Sequence, residues 1–128
     1  MDKKSLLMID DEVFLCKIVK RNLESTGDFN VDFATNGKEG IRLAKKTQPD
    51  LILLDLSMPG IDGFAVLKTL KEDEKTLAIP VVMLTALDDE DNKIKAAGLY
   101  DADYVTKPIE AQALIARIEE VLKSRTRI

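Results

Sequence analysis

Short apolar runs alternate with longer segments of helical period from one end of the chain to the other. The runs are "LLMI" (6–9), "VDFA" (31–34), "LILL" (51–54), "VVML" (81–84) and "YVT" (104–106). They are short, bounded by turn residues and rich in Val, Ile and Leu, which predicts strands. Between them lie Glu12–Ser25, Gly37–Lys46, Gly63–Glu74 and Asp89–Gly98, with Ile109–Lys123 after the last, so the βα unit recurs five times. Such alternation predicts an α/β domain built on a parallel sheet with helices on both faces. Runs three and four are apolar at consecutive positions, the pattern of central strands buried on both sides.

Local punctuation supports the same division. Asn36 and Asp62 stand where helix N-caps belong, Gly27 and Gly98 where helices end, and Pro49 and Pro80 just before strands. The first helix carries two apolar stripes, Phe14 with Ile18 and Leu15 with Val19 and Leu23. One is expected to be core, the other a second core stripe or a docking face. Cys16 in the same helix reads as a small, half-buried residue.

In an open parallel α/β sheet, ligands gather at the carboxyl ends of the strands, beside the point where strand order reverses. Here the first strand ends in Asp10-Asp11-Glu12, the third in Asp55, the fourth in Thr85-Ala86 and the fifth in Lys107-Pro108. With a strand order of 2-1-3-4-5, Asp10, Asp11 and Asp55 would share one shallow pocket. Carboxylates at close range repel unless a cation answers them, and oxygen-only ligands suit a hard ion such as Mg²⁺, with Mn²⁺ as the alternative. Lys107 is expected to add positive charge on the other side of Asp55. A carboxylate beside a metal and a lysine, with a hydroxyl nearby, is equipped to attack a phosphoryl group and become an acyl phosphate. Taken singly, each piece has a plainer role. The acidic triplet suits the N-terminus of the first helix, Asp55 a turn before Pro59-Gly60, Thr85 a strand end, and Lys107-Pro108 a solvated loop.

Composition narrows the chemistry further. The chain has 128 residues, one domain's worth, with 33% charged residues and a net charge of −4, which argues against nucleic acid as a direct partner. It has no histidine, which removes imidazole metal sites and Ser-His or Cys-His nucleophile pairs, and its single cysteine allows no internal disulfide. No apolar run is long enough to cross a bilayer, and "MDKKSLLMIDDE" does not read as a signal peptide, so a cytoplasmic location is expected.

The ordered set of an acidic pair after strand one, "DLSMPGIDG" after strand three, "TA" after strand four and "KP" after strand five resembles the receiver domain of two-component response regulators. The resemblance runs from Leu6 to about Lys123. It implies a single flavodoxin-like receiver domain over residues 1–128, with a core of about 5–123 and sheet order 2-1-3-4-5. Five βα units use up the residues given and leave no room for an output domain, so the expectation is a stand-alone receiver or one cut from a longer regulator. It also implies that Asp55 is the phosphoacceptor. Asp10 and Asp11 would hold Mg²⁺ with Asp55 and the backbone carbonyl of Ser57. Thr85 would hydrogen-bond the phosphoryl group, Lys107 would pair with it across a cis Lys-Pro step, and Tyr104 would be the aromatic that swings inward with Thr85. Ala86 is small where that group must enter.

As a family member the chain would be a signalling phosphoacceptor and not an enzyme in its own right, a monomer with dimerisation on phosphorylation as the alternative. Its donor would be a histidine kinase or a histidine phosphotransfer protein. The switch would act at the face of the fourth and fifth βα units, controlling partner binding or passing phosphate on. Ser57 and Leu87 stand two residues beyond Asp55 and Thr85, at positions that in this family help set how fast phosphate is lost, and an apolar Leu87 cannot orient an attacking water by hydrogen bonding, which implies slow loss of phosphate. The segment before "DYVTKP" lacks the family's usual Gly-Ala pair.

Three rivals remain at this stage. A phosphohydrolase wants a second acid where Ser57 stands. A flavin-binding domain would find "IDDEVF" repelling its phosphate. A scaffold without phosphorylation has no use for the whole polar set.

Overall fold

A computed structural model describes residues 2–58, 62–86, 98, 100 and 102–126. Five parallel strands, β1 (Lys4–Ile9), β2 (Phe29–Ala34), β3 (Leu51–Asp55), β4 (Val81–Thr85) and β5 (Asp103–Thr106), form one sheet of order β2-β1-β3-β4-β5. Four helices fall among the described residues: α1 (Val13–Glu24), α2 (Gly37–Thr47), α3 (Gly63–Glu72) and α4 (Ala111–Thr126). The order matches the one expected, and it makes β1 and β3 neighbours at the point where the chain reverses direction across the sheet.

Strand side chains alternate between two cores. Leu7, Ile9, Ile52 and Leu54 pack toward α2 and α3, where Ala44, Val66, Leu67 and Leu70 meet them. Leu6, Met8, Leu51 and Leu53 face the other way, onto Cys16, Val19 and Leu23 of α1 and Leu114 and Ile118 of α4. Every residue of β3 and β4 is buried, as consecutive apolar runs require.

Of the two stripes on α1, the one with Val19 and Leu23 is core, while Phe14 is 79% and Ile18 46% exposed. Cys16 is fully buried instead of half-buried, because its position faces β1 directly. Burial and the nearby Asp10 charge push its thiol up to about 12, so it is inert packing at neutral pH.

Local signals held where they had a specific chemistry. The Asn36 side chain accepts the Glu39 amide at 2.8 Å, and Asp62 accepts the Phe64 amide at 2.9 Å, opening α2 and α3 as N-caps. Gly27, with φ of 84°, takes the left-handed turn after α1. Helix α2 ends without glycine, Gln48 taking the left-handed conformation at φ of 49° and donating its amide to Ala44 O. Gly98, expected to end a helix, is itself helical, and so is Tyr100 beyond it. The rest of the expected helix Asp89–Gly98, together with Pro59, Gly60 and Leu87, lies outside the described residues. Among the described residues no helix is long and apolar enough to cross a membrane.

Candidate functional site

The register of the sheet brings the strand ends together. Ile9 lies beside Leu54, so the chain leaves β1 at Asp10 alongside Asp55. Leu54 lies beside Met83 and Asp55 beside Leu84, and Thr85 is paired with Thr106 on the next strand. The backbone continues these ladders past the strand ends: Asp10 N–H donates to Ala34 O at 3.1 Å, and Lys107 N–H to Thr85 O at 2.7 Å. Four segments therefore present their polar residues at a single edge.

Asp10, Asp55 and Thr85 are buried there, three of the four buried polar or charged residues among those described, the other being Thr76. Asp10 Oδ1 accepts the Glu12 amide at 3.0 Å, and Asp55 Oδ1 accepts the Ser57 amide at 3.0 Å. Each carboxylate is thus oriented by the loop that follows it. Asp11 stands beside them, and one carboxylate oxygen from each of Asp10, Asp11 and Asp55 lies within 4.8 Å of the others.

Lys107 is the cation that answers this charge. Its Nζ lies 2.7 Å from Glu12 Oε2, 3.0 Å from Asp10 Oδ2 and 3.5 Å from Asp55 Oδ2. The ammonium therefore sits toward Glu12 and Asp10, not on the far side of Asp55 as the sequence suggested. The Lys107-Pro108 peptide is cis, as the resemblance implied. Burial by itself would lower the Lys107 pKa. Its contacts with Glu12 and Asp10, and the charges of Asp10 and Asp55, reverse this and hold it above the ordinary lysine value.

Asp10 shows the opposite imbalance. Burial and the charge of Asp55 raise its pKa, and the Glu12 amide and Lys107 only partly offset them. A carboxyl whose folded pKa is raised carries no penalty in acid. The penalty develops as pH rises through the ordinary carboxylate range and persists at neutrality. Asp10→Asn, which keeps an oxygen for the Glu12 amide, is accordingly expected to stabilise the metal-free protein at pH 7 by about 1 kcal/mol. Urea unfolding in chelator checks this, and the advantage should vanish near pH 3.

Two buried polar atoms among the described residues lack a hydrogen-bond partner, Asp10 Oδ2 and Thr85 Oγ1. The first meets Lys107 as an ion pair without hydrogen-bond alignment. Thr85 Oγ1 has no such answer, and leaving a buried hydroxyl unmatched costs stability, so it marks an edge arranged for something beyond folding. The donor set is all oxygen, which fits a hard divalent cation.

A cavity of about 610 Å³ opens onto the site, lined by Glu12, Asp55, Ser57, Ala86 and Lys107 on its polar side and by Leu15, Ile18 and Ile109 on its apolar side. A larger concavity of about 860 Å³ lies at the opposite edge of the sheet, beside Phe29 and Leu122. Its charged residues, Asp28, Glu119 and Lys4 among them, are exposed surface groups.

The family model described as the response regulator receiver domain matches residues 6–119. The chain belongs to that family. This receiver domain is 42% identical over 123 residues to the DNA-binding dual master transcriptional regulator RpaA of Synechocystis sp., covering 96% of this chain and 51% of that protein. It is 38% identical over 120 residues to the phosphate regulon transcriptional regulatory protein PhoB of Pseudomonas aeruginosa, covering 94% of this chain and 52% of the relative. The receiver domain thus spans about half the length of these relatives. Among solved structures, the receiver domain of Francisella response regulator 1452 superposes with a TM-score of 0.84 at 33% identity, covering 98% of this chain and all of the other. A response regulator receiver domain protein from Clostridium thermocellum gives 0.86 at 30% identity, covering 95% of this chain and 96% of its own.

Every described site residue singled out from the sequence falls at or beside this edge except Tyr104; Leu87 lies outside the described residues. Tyr104 is 41% exposed on β5, two positions before Thr106. Glu12 is the residue whose part sequence reasoning missed. It stood in the acidic triplet but was read with the helix start, whereas its carboxylate makes the shortest contact to Lys107.

Proposed function

We propose that this receiver domain accepts a phosphoryl group on Asp55 from a phosphohistidine donor. One observation carries the reading: Asp55 is buried beside Asp10 and Lys107, yet opens into a cavity wide enough for a phosphoryl group and the tip of its donor. An Asp55 carboxylate oxygen attacks phosphorus as the P–N bond to the donor imidazole breaks, and the imidazole nitrogen leaves with the electron pair and takes up a proton.

Mg²⁺ held by Asp10, Asp11, Asp55 and the Ser57 carbonyl would supply charge neutralisation at the phosphoryl oxygens. Lys107 supplies a second, fixed positive charge to those oxygens. Thr85 Oγ1, buried without a hydrogen-bond partner at the neighbouring strand end, donates to one of them. The small Ala86 leaves the approach clear.

The new dianion draws Thr85 and Lys107 toward Asp55, and Tyr104 moves inward from its exposed position, which biases the β4–β5 side of the domain between two packings. Exposed Phe14 and Ile18, the latter lining the same cavity, form the apolar ground on which the donor protein rests. Output then passes through whatever reads the β4–β5 face.

Incubation with acetyl phosphate and Mg²⁺ is expected to give one phosphoryl adduct by intact mass, absent when chelator replaces the metal. An adduct of equal yield in chelator would refute the metal-assisted reading.

A further inference from the structure

We propose that Glu12 is a positioning residue for Lys107, holding the ammonium at the rim of the acid pocket so that a divalent cation enters without first displacing it. This deepens the metal-assisted reading above and rests on it.

Glu12 occupies the N-cap position of α1 in extended conformation, with φ of −82° and ψ of 90°, but its side chain makes no capping hydrogen bond. Its own amide is taken by Asp10 Oδ1. The Glu12 carboxylate is therefore not committed to the helix. It reaches across to Lys107 Nζ at 2.7 Å, a charge-assisted contact over 95 residues of sequence.

The three distances from the Lys107 ammonium increase inward, from 2.7 Å at Glu12 through 3.0 Å at Asp10 to 3.5 Å at Asp55. Glu12 has a side chain 57% exposed, whereas those of Asp10 and Asp55 are 0% and 3% exposed. The ammonium is thus drawn outward by an exposed carboxylate and inward by two buried ones. Asp10 and Asp55 are two of the three acids whose oxygens cluster for a cation. Without Glu12 the nearest remaining anions lie inside the pocket. The ammonium would then settle between Asp10 and Asp55, where it competes directly with the metal.

The test is Mg²⁺ binding measured by calorimetry on the wild-type chain, Glu12→Gln, Lys107→Ala and the double variant, each checked for folding by circular dichroism. Glu12→Gln is expected to weaken Mg²⁺ about fivefold, the scale of one partly screened ion pair. In the Lys107→Ala background the same change should matter by no more than about 1.5-fold, since the ammonium it positions is gone. Glu12→Asp, which keeps the charge with a shorter reach, should fall between wild type and Glu12→Gln. Equal weakening in both backgrounds would overturn the proposal, because Glu12 would then act on the metal directly, and so would unchanged affinity in Glu12→Gln. A wild-type chain that binds no Mg²⁺ would remove this inference together with the metal-assisted reading. Metal-dependent phosphoryl uptake with a flat response to Glu12 would remove this inference alone.

Discussion

An Asp55→Asn variant is expected to take up no phosphoryl group from acetyl phosphate and Mg²⁺, under conditions in which the wild-type chain gives one adduct. The substitution is close to isosteric, and the Asn carbonyl oxygen can still accept the Ser57 amide that now bonds Asp55 Oδ1 at 3.0 Å. The loop after β3 therefore keeps its anchor, and the fold has no reason to change. What disappears is the proposed nucleophile, because an amide oxygen in this setting cannot form the acyl phosphate. One of the three clustered acids goes with it, so Mg²⁺ affinity should fall as well. Intact mass reads the first effect as an all-or-none loss, and unfolding curves show that it is not a folding defect. Persistence of the adduct in Asp55→Asn would move the phosphorylated position elsewhere, with Ser57 and Thr85 as hydroxyl candidates at the same edge.

The site was legible in the sequence because its chemistry depends on residues placed at strand ends, and strand ends are what a hydrophobic pattern locates best. Each of β1, β3, β4 and β5 stops at or just before the polar residue that matters, so finding the runs located Asp10, Asp55, Thr85 and Lys107 together. Strand order needed the family resemblance, since nothing in the runs themselves says that β1 and β3 are neighbours. Pairing between side chains was less accessible. Lys107 approaches Glu12 more closely than Asp55 because the carboxylates and the ammonium compete within about a hydrogen-bond length of one another. Such a balance is a matter of ångströms, which spacing along the chain does not encode. The stripes on α1 show the same limit at a larger scale. Phe14 and Ile18 are as apolar as Val19 and Leu23, and only the placement of the helix on the sheet decides which pair is buried.

Gly63→Ala is expected to destabilise the domain by about 3 kcal/mol, as overpacking against an immovable neighbour does, and to reduce both Mg²⁺ binding and phosphoryl uptake. At the first turn of a helix the reverse would ordinarily hold, since Ala forms helix better than Gly by about 1 kcal/mol. The sign changes here because α3 starts against the end of β3. A Cβ on Gly63 would lie 2.4 Å from Leu56 Cα and 2.8 Å from Asp55 O, both backbone atoms that no rotamer change can move aside. Either α3 slides away from the sheet, opening the core around Val66, Leu67 and Leu70, or the backbone of Asp55 and Leu56 shifts. In the second case the carboxylate leaves its position beside Asp10 and Lys107. An Ala65→Gly control, at an exposed position two residues along the same helix, should cost only about 1 kcal/mol of helix propensity and leave Mg²⁺ affinity unchanged. Urea unfolding and metal titration on the two variants separate the alternatives. If Gly63→Ala loses stability but binds metal normally, the helix has moved and the strand end has not. If both fall together, the close approach of α3 is what holds Asp55 in place. A variant as stable as wild type would show that the contact is not maintained in solution.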